Sequence, residues 1–245
     1  MSDYRGFPQA GARSAAVDVG LRAYMQKVYN YMAGGLALTG ASAIGTYNMA
    51  VASEQPLALT AFGNTLFHGP LMWLLVLAPL GLVMFLSFGI QRMSVGTAQL
   101  SFWAYAALVG MSFATLGLVY THGSIARVFL ITAAAFASLS LYGYTTKRDL
   151  TGMGAFLFMG LIGLVIASLV NLFFMSSAMS FALSVIGVLV FTGLTAYDTQ
   201  RIKNMYYAGD DGATVGRKAI MGALTLYLDF INMFMSLLRL FGDRR

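Results

Sequence analysis

Residues 226–242 read LYLDFINMFMSLLRLFG, an apolar helix with Asp229 in its interior and Asn232, Ser236 and Arg239 after it. With Thr225 these polar residues step by 4, 3, 4 and 3. At 100° per residue they fall within about 80° of arc, while Phe230, Phe234, Leu237 and Phe241 lie opposite. A crossing from Lys218 to Arg239 puts Asp229 roughly ten residues deep, near the midplane of about 30 Å of hydrocarbon. A charged Asp there costs about 2.5 to 3.5 kcal/mol, so such a residue faces a cavity, a partner or an ion path. A hydrogen-bonded Asp that only ties helices together is the alternative. Glue needs one polar residue, and this stripe has five.

The rest of the chain shares that character. Of 245 residues, 58% are apolar and 10% charged, far below the ~25% charged residues of soluble domains. Apolar segments recur near 28–50, 71–92, 98–120, 125–144, 152–174, 178–203 and 217–240. They are long unbroken runs, which excludes a transmembrane barrel and predicts an all-α, multi-pass membrane protein of seven helices. Residues 1–22 read as a short N-terminal tail with no cleaved signal, and 23–245 as the membrane domain. The 51–70 connection, with Pro56, Gly63, Asn64, Gly69 and Pro70, is the natural flexible loop. Eleven Lys and Arg fall on the side of the N-terminus and four on the other, which makes the N-terminus cytoplasmic. Arg239, Arg244 and Arg245 fit that scheme badly, so a re-entrant last segment stays open beside a full crossing. The net charge of +6 is spread over connections and implies no nucleic-acid partner. The absence of Cys removes thiol chemistry and thiolate metal sites.

A second buried acid is expected in FTGLTAYDTQRIKNMYY (191–207), where Asp198 follows Thr195. One reading pairs it locally with Arg201 at i+3. If Tyr206 and Tyr207 mark the interface, however, Asp198 lies roughly 12 to 14 Å inward and can meet Asp229. Two carboxylates in a low-dielectric site do not both ionise easily, so the pair would hold one proton between them. Arg92, in MFLSFGIQRMS (84–94), shares the cytoplasmic end with Asp198. It is either a snorkelling anchor or the pair's cationic partner.

These three stretches, around Asp229, Asp198 and Arg92, resemble the signature segments of the Bax inhibitor-1 family in its bacterial members. The likeness covers about residues 23–242. It implies a seven-helix bundle with the C-terminal helix central, in a bacterial inner membrane. It also implies that Asp198 and Asp229 form a pH-sensing pair engaged by Arg92, and that the activity is a pH-sensitive calcium leak. Calcium and protons would then be the transported or sensed ions, with no cofactor and with Asp198 and Asp229 as possible calcium ligands. Some relatives latch the arginine of the last helix, here Arg239, to an acid in the second. Residues 71–92 contain no acid, and the only Glu is Glu54.

Two other classes compete. A non-catalytic membrane protein that binds other membrane machinery would use small residues such as Gly34, Gly35, Gly40 and Gly45 for helix contacts. An intramembrane aspartyl protease would also carry two membrane acids, but the second acid here follows Tyr227-Leu228 in place of Gly-x-Gly. No zinc-protease or serine-hydrolase motif is present, and His68 and His122 are expected as solvated loop residues. Gly209-Asp210-Asp211-Gly212 lacks calcium-loop spacing and reads as a turn.

Overall fold

A computed structural model of the chain describes residues 8–54 and 57–245. Helix α1 (Pro8–Ala50) leads into an antiparallel hairpin of β1 (Val51–Glu54) and β2 (Leu57–Leu59), then into a short α2 (Ala61–Phe67). Helix α3 (Leu71–Gly89) ends in a 3-10 turn at Ile90–Arg92. It is followed by α4 (Val95–Phe113), the single turn α5 (Leu116–Val119), α6 (His122–Thr145), α7 (Thr151–Phe174), α8 (Ser177–Asn204) and α9 (Gly212–Phe241). Thr60, Ser94, Thr121, Ser176 and Asp211 start α2, α4, α6, α8 and α9, each accepting a backbone N–H of the first turn that has no partner in the helix.

Among the described residues six helices are long and apolar enough to cross a membrane: Leu71–Arg92, Val95–Val119, His122–Thr145, Thr151–Phe174, Ser177–Asn204 and Gly212–Phe241. They match six of the seven expected segments. Helix α1 has the length, but its Gly, Thr, Asn and Tyr residues dilute its apolar run and keep it out of that set. It also runs unbroken from Pro8 past residue 22, so the expected boundary between tail and membrane domain lies inside one helix. The expected flexible loop is instead the hairpin and α2.

Helix α9 is the axis of the bundle. In its most apolar stretch 67% is buried, against 11% for α3 and α7 at the periphery. It packs on α1, α4, α6 and α8, with α3 outside α4 and α7 outside α8. Its apolar side meets aromatic rings, Phe230 lying 5.3 Å from Phe129 and 5.6 Å from Phe136. Helix α9 also crosses the whole bundle. Its end is stitched to the start of α6, where the Thr121 N–H donates to the Asp243 carbonyl (2.9 Å) and the Arg245 N–H to that of Val119 (3.0 Å). Arg127 pairs with Asp243 at 2.8 Å and Arg245 with Glu54 at 3.6 Å. The re-entrant alternative therefore does not hold.

Candidate functional site

Close approach of α8 and α9 builds the site. A Cβ on Gly222 would come 2.9 Å from Ile202 Cγ2, and one on Gly187 would come 2.6 Å from Ser236 Oγ. Glycine at both places lets the helices touch, as small residues do in membrane bundles. Between these contacts lie Asp198 and Asp229, buried to 7% and 5% exposure. Two further glycines seat α8 from outside: Gly143 of α6 rests on the Ala196 carbonyl, and Gly154 of α7 on the Tyr197 ring.

The two carboxyls are neighbours across the α8–α9 contact. An ionised carboxylate only accepts, and with both acids ionised Asp229 Oδ2 is buried with no partner. One proton placed between the two acids supplies the missing donor. Arg201 Nη1 stands 3.8 Å from Asp198 Oδ1 with its side chain 62% exposed, a long, wet pair of small worth. The local pairing and the approach to Asp229 thus coexist at Asp198.

The structure does not bring Arg92 to the pair. It is exposed at the end of the 3-10 turn, and among the described residues it makes no ion pair. Arg239 is likewise exposed and makes none among those residues. The rest of the stripe bonds its own helix. Thr225 donates to the Met221 carbonyl (3.1 Å), Asn232 to that of Leu228 (2.8 Å), Ser236 to that of Asn232 (2.8 Å), and Thr195 of α8 to that of Phe191 (2.7 Å).

Sequence reasoning missed a chain of hydroxyls beside the acids. Thr199, next to Asp198, lies 2.9 Å from Ser140 Oγ, which lies 2.7 Å from Tyr29 OH. Three such residues on three separate helices carry no spacing signal; only the position of Thr199 after Asp198 hints at it. His122 is exposed, as expected, but stands on a helix and not in a loop. It begins α6 edge-on to Tyr47 at 4.9 Å and 3.3 Å from Arg245 Nη2. The acids of the 209–212 turn have local work, Asp210 pairing with Lys218 (2.5 Å) and Asp211 capping α9 through Ala213 and Thr214 N–H groups. The Thr214 side chain first, and then those two N–H bonds, hold the Asp211 carboxyl below its usual pKa. At Asp149, bonds from Thr151 do the same.

A helical multi-pass membrane protein with an acid pair buried between its last two helices is the class that this fold and site define. Residues 21–245 match the family model described as "Inhibitor of apoptosis-promoting Bax1", and the chain belongs to the Bax inhibitor-1 family. It is 51% identical to an uncharacterised protein of Rickettsia prowazekii over the full length of both chains. It is 48% identical to the inner membrane protein YbhL of Escherichia coli K12, over 92% of this chain and 94% of that one. An uncharacterised protein of Caulobacter vibrioides is 43% identical, again over both full lengths.

Proposed function

We propose that this protein is a pH-sensitive calcium leak of the bacterial inner membrane, gated by the proton that Asp198 and Asp229 share. The observation that carries the reading is the orphaned Asp229 oxygen facing a second buried acid. With one proton the pair is self-satisfied. Loss of that proton leaves two like charges in a low-dielectric site, a state that needs a cation. Calcium suits hard carboxylate oxygens but takes six to eight of them. Two acids therefore form a step on a path, with calcium as cargo. Among the described residues no cluster of three or more metal-ligating side chains occurs.

In this proposal α1 also crosses, completing seven spans around α9 with the N-terminus in the cytoplasm. Arg92 becomes the partner of the ionised pair only if the end of α3 moves inward; Arg201 is the nearer cation in the present arrangement. Of the glycines a protein partner would use, Gly34 and Gly35 are covered internally by Trp103 and Phe102, while Gly40 and Gly45 stand open.

The test is calcium release from proteoliposomes between pH 6 and 8. Wild type should show a pH-dependent flux, and Asp198→Asn and Asp229→Asn should each flatten it. Either variant retaining the wild-type profile overturns the shared-proton mechanism, and a calcium-silent wild type overturns the leak.

A further inference from the structure

Helices α1 and α6 flank a cleft of about 730 Å³. Its α1 wall runs from Arg22 to Leu36 and its α6 wall from Ala133 to Tyr144, with Phe230 of α9 as the floor. We propose that this cleft holds one acyl chain of an anionic membrane phospholipid, with the headgroup at Arg22.

Shape decides the class of occupant. The fourteen steps from Arg22 to Leu36 rise about 21 Å, more than the roughly 15 Å that one leaflet contributes to the hydrocarbon layer. A lipid tail entering beside Arg22 can therefore lie along the whole cleft. Spread over that length, 730 Å³ averages roughly 35 Å² in cross-section. A flexible hydrocarbon chain can follow so narrow a groove, whereas a helix has a fixed width of about 10 Å. The lining suits a flexible chain, with Met25 and Met32 able to adjust and Ala133 and Ala137 leaving room.

Charge decides the headgroup. Arg22 is exposed at one end of the cleft and, among the described residues, makes no ion pair. At the same end Lys203 Nζ bonds the Tyr144 carbonyl at 2.8 Å and lies 5.2 Å from the Tyr144 ring centroid, adding a second cation. Basic residues at this level attract anionic lipid. Tyr29 and Ser140 line the middle of the cleft, so a seated tail also covers the hydroxyl chain that ends beside Asp198.

The experiment is native mass spectrometry of the full chain, delipidated and given phosphatidylglycerol or phosphatidylcholine with identical tails. A phosphatidylglycerol carrying a photoreactive group on its acyl chain is cross-linked to the wild type in parallel. Wild type should retain phosphatidylglycerol about fivefold more than phosphatidylcholine. Arg22→Gln should reduce that preference, and Ala137→Trp should lose both. Cross-links should map to peptides containing Met32 or Phe136. Equal retention of the two lipids by wild type, or no change in Arg22→Gln, overturns the headgroup assignment. Cross-links confined to other helices, or to a co-purified protein, overturn the site. Should Ala137→Trp fail to fold, the wild-type cross-link map decides alone.

Discussion

Replacing Thr39 by valine asks what holds the central helix at the rotation that points Asp229 toward Asp198. Thr39 Oγ1 lies 2.7 Å from Tyr227 OH and 2.9 Å from both the Gly35 and Ala106 carbonyls, joining α1, α4 and α9 at one atom. A carbonyl only accepts and threonine has one hydroxyl proton, so Thr39 donates to a carbonyl and Tyr227 donates to Thr39. Tyr227→Phe removes that last bond while Thr39 keeps its carbonyl, a loss of about 0.6 kcal/mol by the average for interhelical bonds in membranes. Thr39→Val keeps the volume but strands a phenol that is fully buried, which costs about 1 to 3 kcal/mol. The double variant has no stranded group and should cost less than the two single changes added together. The assay is equilibrium unfolding of the purified variants in mixed micelles. Tyr227→Phe proving the costlier change, or strict additivity in the double variant, would refute the reasoning.

Two further outcomes follow from packing and capping. Gly143→Ala sets a methyl against the Ala196 carbonyl, backbone that cannot yield, and should cost about 1 to 3 kcal/mol by overpacking. Its melting temperature should fall, while that of Gly163→Ala, with open space around it, should not. Because the Thr214 side chain and the α9 cap bonds hold Asp211 below its usual pKa, its contribution is complete above the unfolded value near 3.8. It is lost as pH falls through the folded value. Acid melting curves should show a smaller loss of stability below about pH 4 for Asp211→Asn than for wild type, since Asn still caps without titrating.

Much of this fold was legible in the sequence because lipid allows few solutions. Uninterrupted apolar runs must be helices, and six of them appear within a few residues of expectation. Asp229 was legible for the same reason, as an acid within such a run stands out. Asp198 needed more, since its distance from Tyr206 and Tyr207 argued for depth while Arg201 argued for the surface. Both features are present. The expected first span is not among those six, because α1 mixes glycine and hydroxyl residues into its apolar run. The placement of Arg92 was not legible, because a helix-end arginine reaches inward or outward according to tertiary contacts that spacing does not encode. The C-terminal clasp to Val119 and Thr121 was invisible too, being made by backbone groups that every residue carries.

The polar side chains of α9 have a consequence for how the helix is held. Thr225, Asn232 and Ser236 each find their partner one turn back on the same helix, so none waits on a neighbour. Those bonds hold whether the helix is packed in the bundle or surrounded by lipid. Tyr227 and Asp229 differ: the first depends on Thr39 of α1 and the second lies against Asp198 of α8, so these two tie the helix's rotation to its neighbours.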